Sequence, residues 1–108
     1  MAPRLPLLLS LLALTACGQQ AGRLAVPPGS TRAVCVNPAG GSAWTIPIDE
    51  GRGRADGRPA QIDMDRISWR NPADTGEYEL KRASGELVVS RPSSTGGWIM
   101  TFRCTAAR

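Results

Sequence analysis

Between Glu77 and Ser90 the chain changes character at nearly every step. Tyr78 and Leu80 alternate with Glu77, Glu79 and Lys81, Ala83-Ser84-Gly85 interrupts, and Leu87 and Val89 then alternate with Glu86, Val88 and Ser90. A period of two marks a strand with one buried face, and two such runs around a glycine-containing break predict a β-hairpin. After a connection from Pro92 to Gly97, Trp98, Met100, Phe102 and Cys104 share one face of a further extended run. Upstream, Thr31–Asn37 suits a short strand, and Trp44, Ile46 and Ile48 recur at period two. Pro47 lacks an N–H for a ladder, which predicts a sheet edge or a strand end there. Ile62 and Met64 stand in one phase and Ile67 and Trp69 in the opposite one, so a bulge or tight turn at Asp65-Arg66 is needed to bring both pairs inside. Asp49 to Pro59 and Asn71 to Gly76 read as loops. No later stretch carries helical spacing. The predicted class is all-β: a small antiparallel sheet, as a meander, a curled sheet or an incomplete barrel.

At the other end, Arg4 precedes an apolar run from Leu5 to Leu14 broken only by Pro6 and Ser10, and the run closes on Leu14-Thr15-Ala16-Cys17. This resembles the lipobox of bacterial lipoproteins, in which the cysteine is diacylated on sulfur and becomes the new N-terminus. The resemblance implies a helical signal peptide over 1–16 and a covalent lipid, palmitate among its acyl chains, on Cys17. Gly18 stands where retention in the inner membrane usually shows aspartate, so the resemblance favours the inner leaflet of the outer membrane, with the domain facing the periplasm. The ten-residue run is half of the roughly 20 residues that span a bilayer. Gly18 to Ser30 has no period, and Pro27-Pro28 stiffens its end. Residues 17–30 are therefore expected to form a lipidated cysteine and flexible tether, and 31–108 one small β domain.

With Cys17 lipidated, Cys35 and Cys104 remain as an even pair in an oxidising compartment, where a disulfide is expected. A domain under about 80 residues buries only about 60% of its extended surface and needs such a staple. Two cysteines without any histidine make a poor metal site. No metal and no cofactor besides the lipid are expected.

Catalysis is disfavoured. The sequence contains no histidine, hence no general base of the usual kind and no serine triad. Asp63 and Asp65 alternate with Ile62 and Met64 and read as a solvated face. The chain carries a net charge of +4, and its basic residues other than Lys81 are all arginine. Three of them, Arg52, Arg54 and Arg58, lie in a glycine-rich stretch, where guanidinium groups can fork onto lipid phosphates, lipopolysaccharide or peptidoglycan carboxylates. The bland alternative is a solvated loop. Nucleic acid is excluded as a partner by the compartment. Trp44, Trp69 and Trp98 keep phase with apolar neighbours and read as core.

In length, lipobox, β content and a cysteine pair near the two ends of the domain, the chain also resembles small lipoproteins that inhibit C-type lysozyme. Those carry Ser-Gly-x-x-Tyr in the loop that enters the enzyme. Here Ser84-Gly85-Glu86-Leu87-Val88 keeps the first two residues and has valine in the tyrosine position. Ile62-Asp63 and the run from Tyr78 to Leu87 resemble small exported proteobacterial proteins of unknown role. The expectation is a membrane-anchored, non-enzymatic envelope module that binds anionic components or serves structurally. An inhibitor of a cell-wall hydrolase, with Ser84 and Gly85 in its loop, is the alternative, and an enzyme comes third.

Overall fold

The computed structural model describes residues 23–92 and 96–107. The expected signal helix, Cys17 and the start of the tether lie outside them. Eight strands follow in chain order: β1 (Arg32–Val36), β2 (Trp44–Asp49), β3 (Arg54–Ala55), β4 (Arg58–Ile62), β5 (Arg66–Asn71), β6 (Gly76–Lys81), β7 (Glu86–Arg91) and β8 (Trp98–Ala106). Each pairs antiparallel with the next, and β8 returns to β1, so the sheet closes as an up-and-down barrel. This is the all-β class in its fully closed form.

Alternation fills the inside. Ala33, Cys35, Ile46, Ile48, Ile67, Leu80, Leu87 and Val89 are buried, each on the inward phase of its strand. Outer positions pair across strands instead: Arg66 with Glu79 at 3.2 Å, Arg70 with Glu77 at 2.6 Å and Lys81 with Glu86 at 3.0 Å. The barrel is shut along β1 and β8 by the Cys35–Cys104 disulfide, whose residues lie directly opposite each other with Cα atoms 4.0 Å apart. Linking positions 69 residues apart stabilises by about 4 kcal/mol in the chain-entropy account.

One end of the barrel is closed by a charge. Arg82, in the β6–β7 turn, is 1% exposed. Its Nε donates to the Val26 carbonyl (3.0 Å), Nη1 to the Asp63 carbonyl (2.9 Å), and Nη2 to the Pro27 carbonyl (3.0 Å) and Glu50 Oε2 (3.1 Å). A guanidinium offers five N–H groups in a planar fork, and this one ties together the entering chain, the β2–β3 turn and the β4–β5 turn. Gly85, three residues on, has φ of +79°, and a Cβ there would stand 2.1 Å from the Cys104 carbonyl. That contact keeps the turn pressed against the disulfide-bearing strand.

Several expectations need correction. Asp49–Pro59 is not one loop, because Asp56-Gly57, with φ of 53° and 73°, makes a two-residue turn joining β3 to β4. An Asp-Gly pair is the residue choice such a turn demands. The phase break near Asp65 is a turn over 63–65, which restores Ile62 and Ile67 as directly opposed partners but leaves Met64 outside, 73% exposed. Strand β2 runs through Pro47, which faces the β3–β4 turn and bonds there through its carbonyl alone, accepting from the Asp56 amide (2.9 Å). The tether does not reach Ser30. Val26 is fully buried, and the Ala25 and Val26 amides donate to the carbonyls of Ala83 and Arg82.

Arg82→Ala should cost about 3–5 kcal/mol in urea unfolding, because it removes a buried guanidinium that donates to three carbonyls and to the Glu50 carboxylate at once. The hydrogen bond from Arg82 holds Glu50 below the ordinary glutamate value against its own desolvation, with the Gly29 amide assisting. Its contribution is thus complete above the ordinary value and is lost as the pH falls through the lower folded value. Glu50→Gln should flatten this acid limb of the stability curve.

Candidate functional site

The opposite end of the barrel is built differently. Trp44 meets Tyr78 and Phe102 edge-on, with ring centroids 5.8 and 5.9 Å apart, and Trp69 stacks on Tyr78 at 5.2 Å. The Tyr78 hydroxyl donates to Asp74 Oδ2 (2.5 Å), the Arg91 Nη2 donates to the same oxygen (2.9 Å), and the Gly76 amide donates to Oδ1 (2.8 Å). These bonds, Tyr78 first, hold the Asp74 carboxyl below its ordinary range. Burial, then the Asp74 contact, raises the Tyr78 phenol. The guanidinium carbon of Arg91 lies 4.8 Å from the centroid of Trp98. Trp69 Nε1 and Arg91 Nε are buried without an acceptor among the described residues.

Beside this mouth the sheet has a notch. Strand β8 pairs with β7 from Trp98 to Arg103, but with β1 only from Arg103 to Ala106. The cause lies in β1. Cys35 and Cys104 form the closely spaced, non-hydrogen-bonded type of antiparallel pair, so Val34 and Val36 carry the ladder bonds to β8 and residue 38 would carry the next. Residue 38 is proline and has no N–H to give. The chain turns away instead, with the Ala39 amide donating to Asn37 Oδ1 (2.9 Å) and the Gly40 amide to the Asn37 carbonyl (2.9 Å).

The backbone groups exposed by the notch can be named. The Cys104 amide donates toward the β7 side, to Gly85, so Phe102, Met100 and Trp98 also face β7. Ile99 and Thr101 face the other way, where no strand lies among the described residues. Around them sit Val36 (41% exposed), Trp98 (41%), Ile99 (70%) and Met100 (37%), four of the five exposed large apolar side chains among the described residues. Ile99 lies on the outer face, whereas Trp98 and Met100 look into the mouth. Trp98 is therefore not core: beyond the end of β1, an inward position opens onto solvent. Arg103, exposed at the lower end of the notch, makes no ion pair among the described residues.

The residues singled out from sequence are dispersed. Arg52 lies in the β2–β3 turn, 3.8 Å from Asp49. Arg54 donates to the Gly57 carbonyl (3.2 Å), and Arg58, directly opposite the buried Ala55, projects to the other face of the hairpin from Arg54. The three guanidinium groups are thus not gathered into one cluster. Asp56 beside them is raised above the ordinary aspartate range by burial, with Arg58 acting in the opposite sense. Ser84 Oγ accepts from the Glu86 amide (3.2 Å), and Gly85 is buried, so the Ser84-Gly85 pair is occupied in the turn. Asp63 and Asp65 lie in the β4–β5 turn, where their carbonyls accept from the Arg82 side chain and amide. A shallow groove of about 680 Å³ crosses the outer face of β4–β7, with the Arg70–Glu77 pair on its floor. Its charges neutralise each other, which leaves the notch as the less satisfied surface.

Comparison with family models, with curated proteins and with solved structures finds no match to the chain. The notch offers strand backbone that is unpaired among the described residues, apolar side chains on both faces and one exposed guanidinium. That combination suits adhesion to another chain and contains no nucleophile–base pair.

Tyr78 is the single tyrosine of the chain, so its ionisation is readable by absorbance. Its midpoint should lie above that of a free phenol, and Asp74→Asn should move it down. An unchanged midpoint in the variant would mean that the carboxylate does not act on the hydroxyl.

Proposed function

We propose that this protein is a non-catalytic binding module of the bacterial cell envelope, anchored in the outer membrane by lipid on Cys17, which presents the open end of its barrel to a partner. The observation that carries the reading is the gathering of exposed apolar side chains around one stretch of β8 that is unpaired among the described residues. Monomeric proteins blunt such edges with charge, proline or cover. This one has no charged residue from Gly97 to Phe102.

The orientation follows from the path of the chain. Ala25 is hydrogen-bonded at the Arg82 end of the barrel, and residues 18–24 are all that separate it from Cys17. Fully extended, that link spans roughly 29 Å. An acylated Cys17 thus holds the closed end toward the membrane, with Arg52 on the same side to meet headgroup phosphates, and turns Trp98–Phe102 toward the periplasm. Two acyl chains suffice for stable anchoring. The absence of histidine from the sequence supports the non-catalytic reading.

A photoreactive residue placed singly at Ile99, Thr101, Ser68 or Glu79, in the cells that make the protein, tests the reading. Adducts should concentrate at 99 and 101 in the membrane fraction and be sparse at 68 and 79 on the outer groove. Cys17→Ser should move the protein out of that fraction. Adducts as abundant at the groove positions as at the notch would contradict the proposed docking surface.

A further inference from the structure

The notch also carries information about its occupant. Resting on the reading above, we infer that the partner is an extended polypeptide segment that adds to β8 antiparallel, as a continuation of β1, with apolar residues facing the barrel mouth and an acidic residue beside Arg103.

The hydrogen-bonding pattern argues for a strand. Ile99 and Thr101 each present an N–H and a C=O on the side where Pro38 ended β1, spaced as a ladder requires. A segment in that lane has its residues opposite Phe102, Met100 and Trp98 turned inward, against the half-exposed aromatic and thioether surface of the mouth. Its residues opposite Thr101 and Ile99 turn outward, beside Val36 and Arg103. Diagonal neighbours on one face of a sheet lie within reach of long side chains, so an acidic residue opposite Thr101 meets the Arg103 guanidinium. Main-chain bonds supply affinity in this mode, and alternate side chains supply selectivity.

A second copy of this chain fits less well. Pairing two β8 edges antiparallel about Met100 turns one barrel end for end. The two closed ends then lie about 40 Å apart along the strands, more than the roughly 29 Å that residues 17–25 can span. Two copies lipidated in one membrane could pair this way only with their strands lying along the membrane, against the upright orientation proposed above.

The test uses the full chain in lipid nanodiscs, amide hydrogen exchange read by NMR, and the capped peptide Val-Glu-Val-Thr-Val as probe. Saturation at ten times the measured Kd should slow exchange of the Ile99 and Thr101 amides about tenfold. Replacing the peptide's Glu by Lys should weaken binding about threefold, and Arg103→Glu should reverse that preference. Thr101→Pro should abolish binding with a dispersed spectrum retained, because the lost N–H faces the notch and not β7. Absence of slowed exchange at 99 and 101 overturns strand addition. If photoadducts still form at those positions in cells, the binding module stands and only the strand geometry falls. Protection that needs no peptide and rises with protein concentration, together with an inter-copy disulfide in Met100→Cys, overturns the inference in favour of a second copy.

Discussion

A barrel of short strands has two ends to seal, and here one of them depends on a single guanidinium. Arg82 reaches the entering chain at Val26 and Pro27, the β2–β3 turn at Glu50 and the β4–β5 turn at Asp63, all from inside. A buried charge is tolerable only when its donors are satisfied and its charge is met. Four carbonyl or carboxylate groups from three separate segments meet that requirement, and in doing so they fix where those segments lie. Val26 then joins the buried core that also holds Leu80 and Leu87, and the chain upstream of Ala25 is bound to leave from this end.

The two ends differ because their strands differ in length and pairing. β8 has nine residues, against five in β1, so one strand overshoots its neighbour. The overshoot is not random: Pro38 lies where the next ladder bond to β8 would be needed, and the side chain of Asn37 supports the turn away. What results is an apolar lip over an aromatic mouth, opposite a polar, hydrogen-bonded base. In the function proposed above, a lipid anchor at the base and a partner at the lip would make use of that polarity.

The alternating strands were legible in the sequence because period two translates directly into inward and outward faces. The hairpin of β6 and β7 and the shared phase of Trp98, Phe102 and Cys104 follow from it. Other features were written there in ways that local pattern does not weight. Arg82 continues the buried phase of Tyr78 and Leu80, but a charged residue before Ala-Ser-Gly reads as turn until the acceptors are seen, and they come from residues 19 to 56 positions away in the chain. Asp56-Gly57 is a hairpin signal hidden among arginines with little apolar flank. The notch needs the register of β1 against β8, and the disulfide pairing expected of Cys35 and Cys104 is what makes it derivable. Trp98 kept its phase yet lost its cover, since phase fixes the direction of a side chain and not whether another strand lies beyond it.

The docking surface requires that β8 be bonded on one side only from Trp98 to Phe102, and native-state hydrogen exchange of the full chain without any peptide reads this residue by residue. The Trp98, Met100 and Phe102 amides, directed at β7, should be protected, whereas the Ile99 and Thr101 amides between them exchange at close to the rate of exposed backbone. Uniform protection across all five, independent of protein concentration, would mean that another part of the chain covers the edge, and the docking surface described here would not exist.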